Sequence, residues 1–420
     1  LALHTPIAPA KLTVPALGLL LAASVFGAPI FVTLGGAAVI LFWGRAAPLA
    51  SIPLDHYDQV TNPLLAMIPL FTLAGYFLAE SGASKRLVRV FMALFGHIRG
   101  GPAIVTALVC AFFTTFTGGS GVTILALGGL LMPVLLGANV SERNALGLLT
   151  GAGSLGILFP PCLPLILYGL IARVPVREMF LGGIVPGLLM VALAAVWGVR
   201  MGARETGERP RFDWHEVRAA LWVAKWELLL PVVAFVAFFS GFALPTEASA
   251  VTALYAFFVV TAIHRDLNIA RDVPRVMTEC GLLVGGVLLI LGAAMGFTNY
   301  LITEHVPEHI VDWVTAAIKS PRVFLLALNV VLLIVGCLMD IYSAIIVVVP
   351  LIVPLGVAFR IDPVHLGIVF LANLQLGYLT PPVGMNLFLA SYRFNKPMAE
   401  VTRAVLPMLA VLSIGVLLIT

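Results

Sequence analysis

Apolar residues in this chain neither alternate nor recur as stripes; they run on in long stretches cut by short charged loops. Ten stretches, near 12–27, 29–43, 62–79, 143–172, 180–200, 228–243, 247–263, 281–303, 363–392 and 404–420, read as full membrane spans. About 20 apolar residues in a helix cross a hydrocarbon core of roughly 30 Å. Two further stretches, 100–141 and 322–360, are nearly free of charge and too long for one pass.

Loop charges order these segments. Lys85, Arg86, Arg89 and Arg99 follow the third span, and Arg204, Arg209, Arg211 and Arg218 follow residue 200. Arg265, Arg271 and Arg275 lie in a later loop; Arg393, Lys396 and Arg403 follow the ninth span. The intervening loops hold Asp55 and Asp58, or Glu304, Glu308 and Asp312. Basic loops stay in the cytoplasm. The alternation holds only if 100–141 and 322–360 each return to the side they left. Both are therefore expected to be re-entrant hairpins, the first opening to the cytoplasm and the second to the outside. In the first, Pro102–Thr117 and Val122–Leu136 make arms of 16 and 15 residues around "GGSG" (Gly118–Gly121). Such arms reach about 24 Å, which places the glycines near mid-membrane. Irregular backbone survives there only inside protein or beside water.

The pattern occurs twice. "LGILFPP" (Leu155–Pro161) returns as "LGYLTPP" (Leu376–Pro382) at an offset of 221 residues, and Pro133 and Pro186 match Pro354 and Pro407. Gly118–Ser120 then falls on Met339–Ile341, around Asp340. Each half has a hairpin, a span interrupted by a double proline, and a plain span. Opening to opposite sides, the two make an inverted-topology repeat. The expected fold is all-α and membrane-integral, with two re-entrant hairpins, two broken helices and about ten full spans. Residues 100–200 and 320–420 are expected to form a transport domain, with 1–99 and 201–319 its scaffold.

Double prolines remove donors and free carbonyls. Carbonyls freed by Pro160, Pro161, Pro381 and Pro382, with the hydroxyls of Ser120 and Thr380, would make neutral oxygen cages suited to an alkali cation. Asp340 is the only formally charged residue between Arg322 and Arg360. A carboxylate at membrane depth is a functional candidate, and it can also cap the helix starting near Tyr342.

Composition agrees: 61% of residues are hydrophobic and 10% charged, with mean hydropathy +1.08. The net charge of +4 comes from loop Lys and Arg and does not point to nucleic acid. Lipid is the expected surroundings. Nothing resembles a soluble domain; the longest polar connection is about Gly202 to Trp214. Cys110, Cys162, Cys280 and Cys337 are scattered through apolar segments and read as packing residues. The first apolar stretch reads as a span rather than a cleaved signal, and the Leu1 start suggests that a few residues are missing.

"GSLGILFPPCLPLILYG" (Gly153–Gly169), "LGYLTPPVGMNLF" (Leu376–Phe388) and "LPTEASAVTALYA" (Leu244–Ala256) resemble the large membrane subunit of tripartite ATP-independent periplasmic (TRAP) transporters. "IPLFTLAGYFL" (Ile68–Leu78) and "GHIRGG" (Gly96–Gly101) fit as well. The resemblance covers essentially the whole chain. It implies a prokaryotic inner-membrane permease of the ion-transporter superfamily, moving by an elevator mechanism and coupled to sodium. It also implies a small four-span membrane subunit and a periplasmic binding protein that delivers an organic acid. The family's cation loops fall on Gly118, Gly119 and Ser120 with Gly156, Phe159 and Pro161. Their repeat mates are Met339, Asp340 and Ile341 with Gly377, Thr380 and Pro382. Ser120, Thr123, Asp340 and Asn386 are candidate substrate contacts. Two departures remove hydroxyls: "GGSG" is poorer in serine than the family's tips, and Cys162 stands where serine is common.

Other patterns explain less. "HVPEH" (His305–His309) has a zinc-protease spacing, but Pro307 spoils the helical face and no third ligand is evident. "GGSG" fits an intramembrane serine protease, yet no histidine lies at matching depth to take the proton. "PTE" (Pro245–Glu247) reads as a helix start with an acidic first turn. A channel would need neither inverted hairpins nor broken helices. A stand-alone anion carrier remains the alternative to the tripartite reading.

Overall fold

The structure is a computed structural model that describes residues 9–201, 211–241 and 243–420. Arg204, Arg209 and most of the polar connection from Gly202 lie outside the described residues. The described residues form twenty α-helices. Eight helices are long and apolar enough to cross a membrane, or up to ten if two sharply bent pairs each count as one span.

Four helices stand where the sequence suggests loops: α3 (Ser51–Val60), α5 (Ala83–Phe95), α11 (Trp214–Val223) and α15 (Val306–Ala317). They are too short or too polar to register as spans. In α5, Leu87, Val88 and Val90 are buried while Lys85 and Arg89 are exposed, the one-sided pattern of a surface helix. Pro307 opens α15 instead of breaking a helix, and His305 lies before it with φ +55°. The two histidines of "HVPEH" therefore share no helical face. At α13 (Pro245–Phe258), the Glu247 carboxylate accepts from the Leu244 N–H at 2.8 Å, as a helix start requires.

The repeat is visible element by element. At the offset of 221, α7 (Ser120–Gly137) falls residue for residue on α17 (Ile341–Ala358). The first arm, α6 (Gly101–Thr117), matches α16 (Pro321–Leu338). Broken helix α8 (Glu142–Ala152) with α9 (Leu163–Ala172) matches α18 (Pro363–Gly377) with α19 (Met385–Phe394). The plain span α10 (Val176–Met201) matches α20 (Met398–Ile419). The correspondence continues beyond the segments expected from sequence. Helices α1 (Pro9–Val25), α2 (Ile30–Gly44), α4 (Met67–Glu80) and α5 match α12 (Lys225–Phe239), α13, the second half of α14 (Asp272–Thr303) and α15. Packing repeats too: α2 lies on α14 as α13 lies on α4, and α1 on α2 as α12 on α13.

Polar contacts sort the loops to two ends. Arg86–Asp266, Arg89–Glu216, Arg275–Glu80 and Lys396–Glu142 tie the basic loops together. Arg45–Glu304, Tyr168 to the Pro363 carbonyl and His365 to the Ile419 carbonyl mark the other end. Hairpin α6–α7 opens to the basic end and α16–α17 to the opposite one, so the repeat is inverted. Their arms have 17 or 18 residues, about 26 Å at helical rise, slightly longer than the sequence suggests. Gly118 and Ser120 at the first tip are buried in protein.

At the basic end sits a charge cluster. Glu227 is wholly buried and pairs with Arg86 at 2.5 Å, with His264 Nε2 3.2 Å away. Arg86 also holds Asp266, which accepts the Gly82 N–H at 3.0 Å.

Candidate functional site

The two tips turn differently. At the first, α6 ends on Gly118 with φ +66°, and α7 begins at Ser120. Glycine suits that left-handed turn, and a Cβ there would stand 2.8 Å from Leu163 Cβ. At the second, Asp340 caps α17, accepting the N–H groups of Tyr342 and Ser343 at 3.0 and 3.1 Å as well as the Ser343 hydroxyl. Each broken helix unwinds at its proline pair, and both Pro–Pro bonds are cis.

Each tip arm lies directly on its own break. Thr114 Oγ1 donates to the Gly153 carbonyl at 2.7 Å, and Thr115 Oγ1, which donates to the Ala111 carbonyl at 2.8 Å, lies 3.4 Å from that of Gly156. A Cβ on Gly156 would stand 2.2 Å from the Ala111 carbonyl, so only a bare backbone fits. In the second repeat, the Ile341 N–H donates to Tyr378 Oη at 2.7 Å, and that of Gly384 to the Cys337 carbonyl at 3.3 Å. A Cβ on Gly377 would meet Gly336 Cα at 2.4 Å. The repeats then cross: α7 packs on α19 and α17 on α9. Tyr342 Oη donates to the Gly118 carbonyl at 2.7 Å, joining one tip to the other.

Gly156 thus lies against the arm that ends at Gly118, Gly119 and Ser120, and Gly377, in the break that also holds Thr380, lies against the arm that ends at Met339 and Asp340. Several of the carbonyls already accept bonds: Gly156 from Phe159 N–H, Phe159 from Cys162 N–H, and Gly377 from Thr380 N–H, at 3.0–3.1 Å. Each carbonyl oxygen keeps a second lone pair. Thr380 Oγ1 donates to the Leu376 carbonyl at 2.9 Å, leaving its oxygen able to accept. The Phe159 ring turns away onto Gly187 of α10. Pro161 is buried and faces Pro231 and Phe235 of α12 across a small crevice that Phe180 also lines, whereas Pro382 is exposed.

The candidate substrate contacts divide. Ser120, Thr123 and Asn386 are buried at the meeting of α7, α8 and α19. Thr123 Oγ1 lies 2.8 Å from Thr114 Oγ1, and Asn386 Nδ2 donates to the Thr150 carbonyl at 3.2 Å. Ser120 Oγ and Asn386 Oδ1 have no partner among the described residues. Asp340 sits on the other tip, its oxygens turned to its own helix. Sequence reasoning missed Tyr342 and Tyr378, which fasten the tips, and Gln375, wholly buried with both amide atoms unpartnered. It also passed over the threonines of "TTFT" (Thr114–Thr117), whose density just before a turn was the available signal.

The two breaks are unequally covered. Helices α4 and α5 lie on α6, while their mates α14 and α15 lie on α17. Helix α12 faces the first break across a crevice, and Phe159 and Pro160 there are half-buried. Pro381, Pro382 and Val383 of the second are exposed, as are Ala126 and Gly129 on α7.

Residues 17–420 match the sequence family described as the tripartite ATP-independent periplasmic transporter, DctM component. The chain is 35% identical over 388 residues to the C4-dicarboxylate TRAP transporter large permease protein DctM of Pseudomonas aeruginosa, covering 92% of this chain and 90% of that one. It is 30% identical over 399 residues to the ectoine/5-hydroxyectoine TRAP transporter large permease protein UehC of Ruegeria pomeroyi, covering 94% and 93%. Its fold is similar to that in the crystal structure of the Alcanivorax borkumensis YdaH transporter, with a TM-score of 0.64 at 15% identity over 98% of this chain and 97% of that one.

Proposed function

The chain belongs to the DctM component family of TRAP transporters, and from that premise we propose that it imports a small organic anion, a carboxylate, together with sodium. The meeting of tip and broken helix in each repeat, bridged by Tyr342 and Gly118, carries this reading. Backbone carbonyls and the hydroxyls of Ser120 and Thr380 supply hard neutral oxygens for an alkali cation. A proton would need a titratable side chain there, and the Asp340 carboxylate is engaged in capping α17. Unpartnered Ser120 Oγ and Asn386 Oδ1 offer polar contacts to a substrate between the halves. The C4-dicarboxylate relative supports a carboxylate, and the ectoine relative shows that the scaffold tolerates other cargo.

Residues 100–200 and 320–420 act as the moving transport domain of an elevator, against a scaffold of 1–99 and 201–319. The partners are a small four-span membrane subunit and a periplasmic substrate-binding protein, in a prokaryotic inner membrane. The test is uptake by proteoliposomes holding all three components. Uptake rises with a sodium gradient with a Hill slope above one, and Gly119→Val or Thr380→Val weakens the sodium dependence more than expression. Full uptake without sodium, driven by a pH gradient and abolished by Asp340→Asn, would make the coupling ion a proton. Robust uptake of free substrate by this chain alone would make it a stand-alone carrier.

A further inference from the structure

Arg393 stands exposed in the last turn of α19 and forms no ion pair among the described residues. Its neighbour Lys396 is held by Glu142 at 2.8 Å and Glu400 at 3.5 Å. The Arg393 guanidinium lies on the backbone of α7: a Cβ at Gly129 would stand 2.1 Å from Nη2. A Cβ at Gly128 would stand 3.4 Å from Arg393 Cγ and 2.8 Å from Phe394 Cζ. "GG" at 128–129 is therefore a seat for this side chain, which any larger pair would fill. The cation thus lies beside Gly129, nine residues along α7 from Ser120, or about 13 Å at helical rise.

This seat has no counterpart in the other repeat. At the offset of 221, Arg393 falls on Ala172 and Gly129 on Pro350. It lies between α7 of the first repeat and α19 of the second, beside the exposed Ala126 and Gly129 of α7. We propose that Arg393 is a docking point for the carboxylate of an organic anion on its way to the cytoplasm, an exit site separate from the mid-membrane contacts. A guanidinium takes a carboxylate through two parallel N–H···O bonds. Exposed to water such a pair is weak, which suits a site that must let go. Its placement in transport rests on the function proposed above; its affinity for carboxylate does not.

Ala126→Cys provides the probe, because the four native cysteines are all buried. In membranes holding the full chain, a sulfonate-bearing thiol reagent labels this position, and millimolar succinate slows the labelling. Arg393→Gln lowers the sulfonate rate by about fivefold, the scale of an exposed charge contact, and removes the succinate protection. It does not slow a trimethylammonium-bearing reagent, which controls for misfolding, and Arg393→Lys retains most of the protection. No protection in the native background, or equal protection in Arg393→Gln, overturns the site. If protection depends on Arg393 while the reconstituted complex shows no sodium-driven uptake, the anion site stands and the transport reading falls.

Discussion

Arg86 and Arg89 stand three residues apart on α5, yet their removal has unequal consequences. Arg86 faces Glu227, whose side chain is 0% exposed, so Arg86→Met strands a buried charge at a cost of about 3 kcal/mol or more. Arg89 meets Glu216 with both partners largely in water, and Arg89→Met costs below about 1 kcal/mol. Thermal unfolding in detergent separates the two. Asp266 adds a pH dependence. Burial works to raise its pKa, but the bonds from Arg86 and Gly82 outweigh it and hold the carboxyl below its ordinary value. A lowered pKa means the contribution is complete above about pH 4 and drains away as pH falls further. Asp266→Asn therefore lowers the melting temperature by a constant amount above that pH, and the gap closes below it. At this scale the sequence offered Asp340 both as a helix cap and as a functional carboxylate at membrane depth, of which the structure shows the cap. It did not announce Tyr342 or Tyr378, whose hydroxyls acquire meaning only from the strand of backbone each one meets.

At the scale of elements, the hairpins and breaks were legible because charge-free length and proline pairs are properties of the chain itself. Contacts between helices were not. Gly75 on α4 illustrates the difference: the motif "IPLFTLAGYFL" does not say what it touches, yet a Cβ there would stand 2.2 Å from the Phe116 carbonyl oxygen and 2.7 Å from the Thr117 nitrogen. The scaffold thus approaches the first tip backbone to backbone. Gly75→Val should hold α4 away from the hairpin and lower the initial uptake rate at least tenfold, a scale familiar for misplacements of about 1 Å. Unchanged uptake would show that this contact is not needed for transport. Helices α5 and α15 do not read as spans in the sequence, because they are short and amphipathic.

Across the whole molecule, the repeat supplies its own control. Val383 and Cys162 occupy equivalent positions at the offset of 221, yet Val383 is 51% exposed and Cys162 is 0% exposed. In V383C, a thiol reagent should modify position 383 rapidly and leave Cys162 unreacted. If the two halves exchange their cover during transport, adding sodium and loaded binding protein should slow labelling at 383 and expose Cys162. Equal labelling of both positions from the outset would contradict the asymmetry.

Hydropathy, charge alternation and an internal offset determined by themselves that this chain is a membrane-bound inverted repeat with two interrupted helices. Those features follow from the solvent, because a bilayer admits few backbone solutions and basic loops stay on one side. Which half is covered, which glycine carries a neighbour's backbone, and where Arg393 lies were decided only in three dimensions. The two repeats are nearly the same string of elements, and a string cannot say which of two equivalent surfaces its scaffold is resting on.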